Sequence, residues 1–150
     1  MSFCTDNFPD EPSIQADASL FRRIPPTHCV WDDNQQRYRP SSAAFEDDND
    51  GDPMSVCLST VLTTEGREPT SVLVGHEGFS LAAITAGLAR EHNQTVHPEP
   101  LPEETSHTLI CGEKRRGGNK APKKKFSKAA TWVILNPPNG AAAAPEGAGG

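Results

Sequence analysis

The sequence has no apolar run near the ~20 residues that a membrane-spanning helix needs. Its first residues, Met1-Ser2-Phe3-Cys4-Thr5-Asp6, carry neither the basic stretch nor the apolar stretch of a secretory leader. A cytoplasmic protein without membrane association is therefore expected. Cysteine is sparse and lacks paired spacing: Cys4, Cys29, Cys57 and Cys111 stand far apart. Cys57 and Cys111 fall inside apolar segments, where a reduced thiol behaves as a small hydrophobe, so buried free thiols are expected. Motifs are missing as well. The chain has no G-x-S-x-G, no glycine loop ending in Lys-Ser/Thr and no H-E-x-x-H, which removes the usual support for hydrolase, nucleotidase and zinc-protease readings. Apolar residues make up only 35% of the chain, which limits it to one modest core with frayed ends.

Charge is what the chain has in quantity, and it is unevenly placed. The net charge is -6, yet Lys114, Arg115, Arg116, Lys120, Lys123, Lys124, Lys125 and Lys128 gather most of the bases late in the chain, and the acids crowd its first 60 residues. The basic segment 114–128 is expected to be a solvated loop or a contact for nucleic-acid phosphates. With no interleaved aromatic beyond Phe126, it would read charge and not sequence.

The 150 residues fit one domain, of which roughly 110 are expected to be ordered. Residues 1–19 are poor in apolar side chains and read as a tail. Leu20 to Ile24 reads as a strand stopped by Pro25-Pro26. Thr27 to Trp31 reads as a second extended piece, turned by Asp32-Asp33-Asn34. Met54 to Leu62, rich in Val, Cys, Leu and Thr, reads as a strand, and residues 69–74 fit one helical turn or a strand. Phe79 to Ile84 reads as a strand leading to Thr85, which caps a helix over 86–92. Residues 106–112 form the cleanest strand. Phe126, Ala129, Ala130, Val133 and Ile134 fall at helical spacing, predicting a helix over 123–135 that Pro137-Pro138 stops. Residues 139–150 are an Ala/Gly-rich tail. The expected fold is a small α+β domain over 20–138, with a short-stranded sheet, a C-terminal helix and disordered tails.

Site-like chemistry concentrates at Arg39-Pro40-Ser41-Ser42, followed by the acidic run 46–52. A guanidinium fork with adjacent hydroxyls or helix-start amides suits a phosphate or carboxylate. The competing reading pairs Arg39 with Glu46 or Asp47 and uses the serines as caps. His28 and His107 are the histidines expected to join Arg39, Ser41 and Ser42 around one anion-facing pocket, His107 as a hydrogen-bonding or general-base group. His76, between glycines, reads as a turn residue. No metal site is expected. The acidic run places Asp48, Asp50 and Gly51 as a calcium loop would, but Cys57 stands where the bidentate glutamate belongs. His107 and Cys111, four apart on a strand, lie about 13 Å from one another, too far to share zinc. No cofactor is expected, and no residue is marked as catalytic, so enzyme and binding protein both stay open.

Leu20-Phe21-Arg22-Arg23-Ile24-Pro25-Pro26, Arg39-Pro40-Ser41-Ser42-Ala43-Ala44-Phe45, Met54-Ser55-Val56 and His107-Thr108-Leu109-Ile110-Cys111-Gly112 resemble a family of short uncharacterised bacterial proteins with no known activity. That resemblance transfers no catalytic residue; the leading expectation is an accessory binding module of a bacterial multi-gene system, working with another protein of that system. The chain also resembles the start of RES-type, ADP-ribosyltransferase-like domains. That likeness implies an NAD-using enzyme in which Arg22 or Arg23 and Ser55 hold the dinucleotide, although the glycine-rich element and an assignable catalytic glutamate are missing.

Overall fold

A computed structural model describes residues 7–47 and 53–138. At its centre is β1 (Ser19–Ile24), whose side chains alternate between two faces: Leu20 and Ile24 enter the larger core and Phe21 enters a smaller one on the other side. Pro25 follows, and the strand ends there. Antiparallel neighbours flank β1, with β4 (Met54–Leu58) on one side and β5 (Ser80–Thr85) on the other. Beyond β4 come β7 (His107–Cys111) and then β6 (Thr95–Pro98). Beyond β5 comes β8 (Thr131–Ile134). The six strands thus run in the order β6-β7-β4-β1-β5-β8, every pair antiparallel.

A separate hairpin joins β2 (Cys29–Asp32) to β3 (Arg37–Pro40). Its turn is set by the Asp32 carboxylate, which accepts the backbone N–H groups of Asn34 and Gln35. Three α-helices lie wholly within the described residues: α1 (Ser59–Thr64), α2 (Ala86–Glu91) and α3 (Pro122–Ala129). Thr85 caps α2, its hydroxyl accepting the Leu88 N–H at 3.1 Å. The α+β expectation is met.

The two sheet faces are covered unequally. On the larger core, Leu20, Ile24, Met54, Val56, Ala82, Val96 and Ile110 pack beneath the hairpin, α2, α3 and a 3-10 turn at Ser42–Phe45. Phe126 of α3 is fully buried there, edge-on to Phe45 with centroids 6.1 Å apart. The opposite face carries Phe21, Cys57 and Leu81, covered among the described residues by Leu62 of α1 and by Val72 and Leu73 of a 3-10 turn at Pro69–Leu73. This thinner cover leaves room for a cleft.

Four segments differ from the sequence reading. The strand expected over 54–62 stops at Leu58, and residues 59–64 turn into helix α1, which lays Leu62 over the sheet. Second, the helix expected over 123–135 ends at Ala129, and Thr131 to Ile134 form β8 instead. That run is β-branched and aromatic, so it suits a pleated surface, and β5 offers an open edge to pair with. Third, residues 7–18 lie along β6 and α2: the Glu11 N–H donates to the Val96 carbonyl, the Asp10 carboxylate accepts from Val96 N–H and from Arg90, and Ile14 and Ala18 are buried. Fourth, the start of the basic segment is anchored. Lys114 is buried, its ammonium donating to Asp47 at 2.6 Å and to the carbonyls of Ile110 and Gly112 at 2.9 and 3.1 Å. Of the cysteines, Cys29 and Cys57 are free and buried, whereas Cys111 is disulfide-bonded, which corrects the expectation of a reduced thiol there.

Candidate functional site

The cleft on the thinly covered face has a volume of about 640 Å³. Its floor is the sheet, through Arg23 of β1, Ser55 of β4 and His107 of β7; its walls are the 3-10 turn at 69–73, the turn 74–79 and the loop that precedes β7. Strand alternation explains the floor. β1 pairs Phe21 with Cys57, and β4 pairs Cys57 with His107. Side chains two residues along a strand share a face, so Arg23 and Ser55 point the same way as Phe21 and Cys57.

Arg23 donates through Nε to the Val72 carbonyl at 2.6 Å and has no other hydrogen-bond or ion-pair partner among the described residues. Both terminal amino groups are therefore available to a ligand. Ser55 Oγ lies 3.1 Å from His107 Nε2, and His107 Nδ1 faces Glu99, 3.0 Å from its carbonyl and 3.4 Å from its carboxylate. His76 is set in the wall by a turn with positive φ at Gly75 and Gly78, 85° and 83°, and its ring meets Phe79 edge-on at 5.2 Å. Burial and, after it, the Arg23 cation hold the His76 imidazole below its ordinary value and favour the neutral ring.

The loop leading to His107 is locked by a polar clamp. Arg67 grips both oxygens of Glu104 at 2.9 and 3.0 Å, and the Ser106 hydroxyl donates to the same carboxylate at 2.6 Å. Burial by itself raises the Glu104 pKa, but the hydrogen bonds from Arg67 and Ser106 outweigh it and bring the group to about 2. Arg67 and Glu104 neutralise one another, so Arg23 is the cation the cleft offers. Burial pushes the Cys57 thiol up, making it a packing group beside the site.

The residues expected to share one pocket are distributed. His107 is in the cleft. Arg39 and Ser42 line a different hollow of about 360 Å³, together with Arg37 and with Lys124 and Lys128 of α3. Arg39 is paired with Asp32 at 3.1 Å, not with Glu46 or Asp47. Those acids take cations from the basic segment instead: Glu46 binds Arg115 and Lys123, whose hydrogen bonds lower its pKa, and Asp47 binds Lys114. Ser41 precedes the 3-10 turn without capping it, its Oγ buried and without a hydrogen-bond partner among the described residues. His28 meets this region through its backbone, its carbonyl accepting the Ser41 N–H at 2.8 Å. The rest of the acidic run, residues 48–52, lies outside the described residues, as do the tails 1–6 and 139–150.

Sequence reasoning missed Glu99, Arg67 and Glu104 as parts of the site's framework, and Lys124 and Lys128 as neighbours of Arg39. Among the described residues no cluster of three or more His, Cys, Asp or Glu is placed to hold a metal ion, and no helix is long and apolar enough to cross a membrane. No family model, curated protein or solved structure matches the chain.

Proposed function

We propose that the protein is a binding module for a small phosphate-bearing molecule of the nucleotide class, held in the cleft between β1, β4 and β7. The observation that carries this reading is the uncommitted guanidinium of Arg23, aimed at a cleft that also presents Ser55 and His107. A guanidinium fork matches two phosphate oxygens, and the hydroxyl and imidazole complete the shell. Phe79 and Phe21 supply apolar wall of the kind that covers a base or ribose. In the bacterial setting that the sequence resemblance implies, such a module serves another protein as an accessory. The free, buried Cys29 and Cys57 support a cytoplasmic setting, and the disulfide at Cys111 counts against it.

The ADP-ribosyltransferase-like reading uses the same cleft, and Arg23 and Ser55 lining it together favours that reading as the catalytic version of this site. Thermal shift with inorganic phosphate, mononucleotides and NAD separates the outcomes. A nucleotide raises the melting temperature of the wild type and leaves Arg23→Ala unmoved; nicotinamide release from NAD would promote the enzyme reading. A melting temperature that neither phosphate nor any nucleotide moves overturns the proposal.

A second reading rests on a different observation: Lys124 and Lys128 stand beside Arg37 and Arg39 with no ion-pair partner among the described residues. This hollow fits the phosphates of a single-stranded nucleic acid. Affinity falling steeply with salt and weakened by Lys124→Glu with Lys128→Glu supports it, and salt-insensitive binding removes it.

A further inference from the structure

We propose that Ser55 is a nucleophile served by His107 as general base, with Glu99 as the positioning residue, and that the cleft hydrolyses carboxylic esters bearing a negative charge. This rests on the reading above for the cleft as ligand site and for Arg23 as its anion contact, and goes beyond it in giving Ser55 and His107 to a carbonyl carbon instead of a phosphate. The hydrogen bonds fix the direction of the relay. A backbone carbonyl only accepts, so the 3.0 Å contact with the Glu99 carbonyl places the hydrogen of a neutral ring on Nδ1. Nε2 then keeps its lone pair, and the Ser55 hydroxyl 3.1 Å away donates its proton to it. This is the tautomer that general-base activation of a serine requires.

A purely structural pairing of Ser55 with His107 would bury both groups, but both open onto the cleft: Ser55 is half-buried and the His107 side chain keeps 15% of its exposure. The Glu99 carboxylate, 3.4 Å from Nδ1, favours the imidazolium that forms when the serine proton arrives. Arg23 shares the sheet face with Ser55 and takes the substrate's charge. Val74, 80% exposed at the rim, and Phe79 offer surface to an acyl chain.

The step balances with water as the only co-reactant. Ser55 Oγ bonds to the ester carbonyl carbon as its proton passes to Nε2. The tetrahedral intermediate collapses by breaking the carbon–oxygen bond to the alcohol, which leaves with the Nε2 proton. Water then gives a proton to Nε2 and attacks the acyl-serine, and Oγ departs with that proton restored. The products are the acid and the alcohol.

The test uses an uncharged fluorophosphonate probe on the full chain, with peptide mapping of the modified residue. Ser55 is labelled in the wild type, labelling disappears in Ser55→Ala, and His107→Gln slows it by about 10²–10⁴-fold. Glu99→Gln slows it several-fold and moves the acid limb of the rate–pH profile to lower pH, a displacement that a merely structural Glu99 would not produce. The other titratable and charged groups lining the cleft with His107, namely Glu103, Glu104, Arg67, His76, Arg22, Arg23 and the Cys57 thiol paired with it across β4, are unchanged in that variant. Should His107→Gln fail to fold, wild-type labelling that slows in acid supports the relay and a pH-independent rate overturns it. Ser55 left unlabelled, or labelled equally without His107, also overturns it. The probe carries no charge, so labelling of a protein that no nucleotide stabilises would sink the anion reading alone. Nucleotide stabilisation with an inert Ser55 would sink the relay alone.

Discussion

Arg22 and Arg23 stand side by side on β1, and because successive strand side chains leave opposite faces, the fold uses them in opposite ways. Arg22 turns toward the larger core and donates to the carbonyls of Ala44, Ser55 and Glu46 at 2.9, 2.8 and 3.4 Å. It ties β1 to β4 and to the 3-10 turn at 42–45. Arg23 turns to the thinly covered face, makes its one hydrogen bond among the described residues to the Val72 carbonyl and keeps its terminal amino groups for the cleft. Identical side chains thus divide into a fastener and a receptor, and the number of donors satisfied within the fold marks which is which.

The sharpest way to break this comparison is Arg22→Ala. Carbonyls in a half-buried region lose their donors, at roughly 1 kcal/mol or more each, so denaturant unfolding is expected to show a loss on the order of 3 kcal/mol. A variant as stable as the wild type would mean that Arg22 fastens nothing. Lys114→Met extends the comparison to the basic segment. Methionine fills the space but leaves Ile110 and Gly112 without the ammonium, for about 2–3 kcal/mol.

Glu104 gives a pH signature of similar or smaller size. Its pKa in the fold, about 2, lies below the ordinary 4.5, so the folded carboxyl holds its proton less tightly than the unfolded one. The stabilisation is complete above about pH 4.5 and is lost as pH falls toward 2. Urea midpoints for the wild type should fall through that window, and Glu104→Gln, already about 2 kcal/mol less stable at neutral pH, should show a flatter profile. Arg23→Ala is expected to cost less than about 1 kcal/mol while abolishing the ligand-induced rise in melting temperature. A large loss of stability instead would place Arg23 with Arg22. Smallest of all is Arg39→Ala, whose partly exposed pair with Asp32 is worth under about 1 kcal/mol.

Local chemistry was legible in the sequence where one residue decides the outcome. Pro25 ends β1 and Thr85 caps α2 because a missing donor or a well-placed hydroxyl acts on its own backbone. The stretch Thr131 to Ile134 continues a helical stripe, yet its β-branched and aromatic residues suit a strand, and the open edge of β5 selects the strand. The site divides along the same line. His107 stands out at a strand start, whereas its link to Ser55 spans 52 residues and appears only once β4 and β7 pair in register. Arg39 looked like a ligand group because its chain neighbours are polar, but Asp32, diagonally across the hairpin, claims it first. Arg67 and Glu104 carry no local signal at all; their clamp exists because two loops meet.

The segment 7–18 has a consequence for how the molecule behaves among its own copies. β6 is the outermost strand on its side of the sheet, and an open strand edge is a template on which another chain can add. Asp10 and Glu11 occupy that edge by bonding to both the N–H and the carbonyl of Val96. A chain shortened to begin at β1 would uncover this template, and its first failure would be self-association through β6, ahead of any loss of the cleft.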